Sequence, residues 1–187
     1  KWIIQNAFSM CTECRKYYPE FRVSINLSYV QILKSPLMME LKQMIEHSGI
    51  SCSGIIVELT ESGYLEGTPA VRSVWNDMKQ LRIQIALDDF GTGYSNLMNI
   101  SNLEPDIVKL DRGFTLKALS RSYEYQLMQY VIEMVHKLNQ YVCVEGVETK
   151  EDLEKIKALG PDLIQGYYYS KPCSRDEFLK KFFGYSE

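Results

Sequence analysis

The sequence is short of most features that would mark a transmembrane, secreted, zinc-binding or nucleic-acid-coating protein. No apolar run approaches the roughly 18 residues of a membrane-spanning helix, and the longest apolar runs are strand-length. Histidine is scarce, with two residues, His47 and His136, both inside helical stretches and read as packing or surface residues. The pair Cys11 and Cys14 forms a CxxC, but no second CxxC or histidine pair completes a zinc site. That pair is read as helix surface. Five scattered cysteines, an odd number, suit a reducing compartment better than a disulfide framework. No excess of positive charge exists either. Lys and Arg total 21 against 24 acidic residues, a net charge of -3, which gives no nonspecific grip on a nucleic acid polymer. The glycines Gly91 and Gly93 are followed by Asn96 rather than the third glycine of a dinucleotide-binding fingerprint. No signal peptide is recognisable, and the opening KWIIQNAF reads as mid-domain helix, so the chain is expected to be a segment of something longer. The expected setting is the cytoplasm, as a free protein or as the cytoplasmic part of a membrane-anchored parent.

A hydrophobic content of 45% over 187 residues is enough for one sizeable core and a single domain spanning 1–187. Short β-rich runs alternate with amphipathic helical stretches. The runs lie at 21–28, 54–62, 83–90, 106–111, 141–147 and 162–170. Between them, Leu33, Leu37, Leu41, Met44 and Ile45 mark one helical face, and Leu127, Tyr130, Val131, Met134, Val135 and Leu138 another. Ser35 and Pro36 read as N-cap and first helical residue, Thr149 with Asp152 and Ser174 with Glu177 as capping boxes, and Gly49 and Gly160 as helix stops. Strand–helix alternation with near-continuous apolar strands implies an α/β fold with a parallel sheet. An open doubly wound sheet and a (β/α)8 TIM-type barrel are the two closures. For a barrel, the six runs leave about two strands to be supplied from upstream of Lys1.

Every run carries polar residues near its C-terminal end. They are Asn26, Glu58 and Glu61, Asp88 and Asp89, Lys109 and Asp111, Glu145 and Glu148, and Gln165. In a parallel barrel those ends share one face, where active sites are built. Carboxylates around one amide and one lysine, without histidine, form a hard oxygen-donor site suited to Mg²⁺ or Mn²⁺ rather than zinc. Asp88 and Asp89 repel one another unless cations neutralise them. An aspartate bridging two ions with a neighbour on the second is a natural two-metal arrangement for in-line phosphoryl displacement. Gly91 and Gly93 allow a sharp turn after the pair, and Ser95 can cap the helix that follows.

The strings VSINLS, VELTES, ALDDFGTGYSNL, VKLD, VEGVET and IQGYYYSKP, in this order and spacing, resemble the EAL-domain family of bacterial cyclic di-GMP phosphodiesterases. The resemblance covers essentially the whole chain. It implies a (β/α)8-type barrel with one antiparallel strand and two-metal hydrolysis of cyclic di-GMP to linear pGpG. It further implies that Asn26, Glu58 and Asp88 hold the first metal, and that Asp88 bridges to a second completed by Asp89 and Glu145. Glu145 would be the base towards the attacking water, with Lys109 orienting or polarising that water. Glu61 would anchor the loop after Asp89, which in the family couples metal binding to dimerisation. Gln165 would lie near the substrate phosphate, with Asp111 and Glu148 as further site contacts.

The Glu-Ala-Leu motif that names the family is absent from this sequence. In the family its glutamate is a first-metal ligand on an earlier strand. The 187 residues alone are therefore expected to hydrolyse weakly or not at all, and to form a homodimer or other homo-oligomer that covers the open edge. Further regulatory domains are expected in the full-length chain. A non-catalytic EAL domain, acting as a cyclic di-GMP receptor or interaction module, is the alternative. A Schiff-base aldolase built on Lys109 conflicts with the surrounding carboxylates. The DFG at 89–91 lacks the other protein-kinase motifs.

Overall fold

The computed structural model describes residues 1–28, 31, 36–60, 69–92, 100 and 103–184. Its elements alternate as the sequence predicts. Helix α1 (Trp2–Cys14) precedes β1 (Val23–Asn26), α2 (Leu37–Ser48), β2 (Ile55–Thr60), α3 (Pro69–Gln80) and β3 (Gln84–Phe90). Then come β4 (Ile107–Leu110), α4 (Arg112–Ser120), α5 (Ser122–Lys137), β5 (Tyr141–Glu145), α6 (Lys150–Lys157), β6 (Leu163–Gln165) and α7 (Arg175–Phe183). Among the described residues, no helix is long and apolar enough to cross a membrane.

The six strands are all parallel, and each pairs with the next in sequence, β1-β2-β3-β4-β5-β6. A doubly wound sheet reverses its strand order at a switch point. Uninterrupted sequential winding is the barrel solution, so the sheet is the arc of a TIM-type barrel.

Because side chains alternate across a strand, the arc has two distinct faces. Ile25, Val57, Ile85, Leu87, Val108, Leu110, Val142 and Val144 point outward and join Phe8, Leu41, Met78, Ile132 and Ile156 in the main core beneath the helices. The inner face holds a separate small layer of Ala86, Ile107 and Cys143, with Ile56 packed against it. Two residues further along each of these four strands stand Glu58, Asp88, Lys109 and Glu145. The apolar layer is the floor of the site.

Several local expectations hold. Both capping boxes form, and Gly49 ends α2 in the left-handed region with its N–H on the Ile45 carbonyl at 3.1 Å. Leu37 and Leu41 are buried, and Met44 and Ile45 pack against the core. Others need correction. Pro36 occupies the cap position and Leu37 begins the helix; Ser35 and Leu33 lie outside the described residues. Cys11 and Cys14 are fully buried rather than on the helix surface. Small and weakly polar, they fit where α1 meets β1, and the Cys11 Sγ–H reaches the Gly54 carbonyl at 3.5 Å. Burial pushes both thiols up, away from reactivity. The second helical face holds in part: Val135 is buried and Val131 and Met134 pack against the core, but Leu127, Tyr130 and Leu138 stay exposed while Met128 and Ile132 of α5 take core places.

Strand β6 is shorter than the apolar run suggested, because the chain turns at Gly166 directly against β5's exit. A Cβ at Gly166 would lie 2.0 Å from the Val147 carbonyl oxygen and 2.5 Å from its nitrogen. Gly160, by contrast, has φ +75° and nothing within 4 Å of such a Cβ. Gly166→Ala is therefore expected to destabilise by at least about 2 kcal/mol through backbone overpacking. Gly160→Ala is expected to cost only the left-handed strain of about 1 kcal/mol. Urea denaturation of the two variants checks the order, and equal losses would contradict it.

Candidate active site

The centre of the site is one ammonium group. Lys109 on β4 is 4% exposed, and its Nζ lies 2.7 Å from Glu145 Oε1 on β5, 2.9 Å from Asp88 Oδ1 on β3 and 3.0 Å from Glu58 Oε2 on β2. Glu58 and Asp88 are themselves buried. The second Glu58 oxygen, Oε1, accepts from the Ser24 hydroxyl on β1. Five consecutive strands thus meet in one hydrogen-bonded network.

Burial acts on Lys109 to discharge it, but the hydrogen bonds to Glu145 and Asp88 and the charge of Glu58 outweigh that effect and raise its pKa. Three carboxylates at hydrogen-bond distance favour the charged ammonium, against the neutral amine that an aldolase nucleophile needs. Glu145 responds in the opposite sense. Burial holds its carboxyl above the usual glutamate range, opposed by Lys109 and reinforced by Asp88 and Glu58.

Asp89 reaches the site by a backbone irregularity. The register between β3 and β4 shifts between Leu87 and Phe90, so β3 carries an extra residue. Asp89 sits in this bulge with φ +61°, an uncommon conformation for a residue with a side chain. Burial, then Asp88 and Asp111, push its carboxyl above the usual aspartate range. Gly91 follows at φ +103°, where a Cβ would press on the Phe114 ring at 2.9 Å. The turn after the paired aspartates therefore needs glycine there. Gly93 and Ser95 lie outside the described residues.

The remaining candidates take peripheral places. Asn26 pairs in register with Glu58, and Gln165 with Glu145, so each flanks the cluster from a neighbouring strand. Asp111 caps α4, its Oδ1 accepting from the Gly113 N–H at 2.7 Å. Glu148 pairs with Arg112 at 2.7 Å. Glu61 lies outside the described residues. Sequence reading missed Ser24, although its spacing of two from Asn26 on one strand puts both on the inner face. It also missed Arg112, which no local pattern marks.

A cavity of about 750 Å³ opens beneath the cluster inside the arc, lined by Ser24, Ile56, Glu58, Ala86, Lys109 and Cys143 among others. A groove of about 840 Å³ between α1 and α2 contains none of the site residues. Among the described residues, no three histidine, cysteine or acidic side chains form a ready-made ion cage. The hard oxygen donors converge on a cation nonetheless, the Lys109 ammonium, so their chemistry fits a divalent metal.

Lys109→Met should leave three carboxylates without their shared partner and cost about 3–5 kcal/mol at neutral pH. The loss should shrink as pH falls towards the usual glutamate value of 4.5, where the Glu145 carboxyl takes up its proton. Glu145 has a raised folded-state pKa, so its contribution to stability is full below the unfolded value and is lost as pH rises through the folded one. Denaturation of wild type and variant across pH 4–8 measures this; a deficit that grows in acid would contradict it.

Comparison with known proteins agrees with this geometry. The EAL domain family model matches residues 1–172. The chain is 31% identical over 171 residues to the cyclic di-GMP phosphodiesterase PdeF of Escherichia coli, covering 91% of this chain and 23% of that protein. It is 27% identical over 188 residues to the cyclic di-GMP phosphodiesterase NbdA of Pseudomonas aeruginosa, covering 97% of this chain and 24% of that protein. It superposes on the EAL enzyme Bd1971, in its cAMP- and cyclic di-GMP-bound form, with a TM-score of 0.89 at 28% identity, over 96% of this chain and 50% of that one. It superposes on the EAL domain of Mycobacterium smegmatis DcpA with a TM-score of 0.89 at 25% identity, over 98% and 83%. The chain thus spans about a quarter of the length of these two curated relatives. With the sequentially wound barrel arc and its acidic mouth, these matches show that the chain belongs to the EAL domain family.

Proposed function

We propose that this domain hydrolyses one phosphodiester bond of cyclic di-GMP, giving linear pGpG. The observation that carries the reading is the Lys109 network, which draws Glu58, Asp88 and Glu145 from three strands to one point. Relatives named cyclic di-GMP phosphodiesterases support it, as does the cyclic di-GMP-bound Bd1971 structure.

Asn26, Glu58 and Asp88 would hold one Mg²⁺ or Mn²⁺, and Asp88, Asp89 and Glu145 a second. Bound there, the ions would supply Lewis-acid stabilisation of charge on the attacking and leaving oxygens. The protein's own groups do the rest. Glu145, raised in pKa by burial, takes a proton from the attacking water more readily than an ordinary glutamate. Lys109 fixes the Glu145 and Asp88 carboxylates in one geometry. Gln165, in register with Glu145, is placed to contact the phosphate, with Asp111 and Glu148 beyond it.

The test is chromatographic separation of cyclic di-GMP and pGpG after incubation of the full-length protein with Mg²⁺ or Mn²⁺. Hydrolysis is expected, with chelation abolishing it. Glu145→Gln should lower kcat about 10²–10⁴-fold while binding of cyclic di-GMP persists. Added divalent ion should also raise the wild-type melting temperature, and Asp88→Asn should remove that rise. Binding without turnover in the wild type would establish the receptor reading instead.

A further inference from the structure

A second cavity of about 330 Å³ opens on the same face, immediately beside Glu145. Its walls are Arg112, Glu145, Gly146, Glu148, Gln165 and Tyr167, together with Gly166. Its volume is at the small end of ligand sites, the scale of one planar base rather than a whole dinucleotide.

The groove is built around Arg112. At Gly146, where φ is +81°, a Cβ would lie 2.4 Å from Arg112 Cγ. The absence of that Cβ lets the arginine stem lie flat over the strand exit. Its guanidinium is then held by Glu148, with both Nε and Nη2 donating to the same oxygen, Oε1, at 3.2 and 2.7 Å. Both side chains remain solvent-accessible, at 58% and 39%. Among the described residues lining the groove, Arg112 is the one cation.

Glu148, paired with the guanidinium at 2.7 Å, takes up its charge, so the groove offers an anion little net attraction. A guanine base fits better. Its O6 and N7 are acceptors suited to an arginine fork, and its N1–H and N2–H₂ edge is a donor pair suited to a carboxylate. Tyr167 lines the groove, and an aromatic ring there is of the kind that stacks on a base. We propose that Arg112, fixed over Gly146 by Glu148, reads the O6/N7 edge of a substrate guanine and so sets base specificity without taking part in the chemistry.

This inference rests on the cyclic di-GMP reading of the site, and a chemical cycle tests the two separately. The full-length protein and its Arg112→Met variant are each assayed on cyclic di-GMP and on the 7-deaza analogue, which lacks N7. Arg112→Met should raise KM for cyclic di-GMP on the order of tenfold with kcat little changed. The wild type should lose a similar factor on the 7-deaza analogue, and the variant should lose little more. Arg112→Lys retains the stem and charge without the fork, so it should behave like Arg112→Met in this cycle and serves if the methionine variant folds poorly. Equal losses on both substrates, or an unchanged KM, would overturn the role of Arg112. A wild type that cleaves neither substrate would instead sink the phosphodiesterase reading.

Discussion

The structure is organised around one buried positive charge. An ammonium with almost no solvent contact persists only if its desolvation is repaid by close, well-directed partners. Lys109 has three, each from a different strand. Those distances fix the relative register of β2, β3, β4 and β5 at the site end, since slipping β2, β4 or β5 by one residue would carry its charged side chain out of the cluster. The same network makes the lysine as dependent on the carboxylates as they are on it. The register is therefore specified twice, by apolar contacts on the outer face and by charge on the inner one.

The layering beneath the network follows from the period of two. Ile56, Ala86, Ile107 and Cys143 lie two residues before Glu58, Asp88, Lys109 and Glu145. They line the inner face next to the charges as an apolar layer and form part of the wall of the cavity there. Cys143 belongs to that layer: burial raises its thiol to about 12, so it is inert packing beside a charged neighbour. Asp89 breaks the alternation, and only a bulge lets a second adjacent aspartate lie near the same centre. Its positive φ is a local cost of about 1–3 kcal/mol, of a kind concentrated at functional sites.

The parts of this arrangement that depend on short-range pattern were legible in the sequence. The runs at 83–90 and 106–111 gave both the strands and their polar ends, because apolar alternation and a terminal charge leave little ambiguity. The capping boxes at Thr149 and Ser174 were legible for the same reason. Helix α5 was legible in part: Val131, Met134 and Val135 pack on the core, but the helix carries a second apolar stripe, and packing gives Met128 and Ile132 the core places over Leu127 and Tyr130. Cys11 and Cys14 were misplaced because cysteine signals its chemistry more strongly than its small apolar size. Among the site residues, Glu58, Asp88, Lys109 and Glu145 emerge as a contact group. Asp111 and Glu148 already have structural partners, a helix cap and an arginine. Arg112 was invisible because its position depends on a missing Cβ at Gly146, a contact between distant segments that no local spacing encodes.

The charge balance of the mouth has a consequence for how a substrate can approach. Glu58, Asp88, Asp89 and Glu145 place four carboxylates around the single ammonium of Lys109. Lys109 is buried and already shared among three of them, so it has little positive field left to offer an incoming anion. Burial first, and the neighbouring carboxylates after it, raise the pKa values of Glu145 and Asp89. A phosphodiester would meet repulsion here unless the excess of negative charge were neutralised, and in the proposed reaction divalent cations would neutralise it. Arg112 stands outside this cluster with its guanidinium accessible, so its donors can meet a neutral base edge while the acidic centre receives the phosphate and its cations. The separation of the two cations, one buried for register and one exposed for recognition, divides the mouth into a chemical half and a reading half.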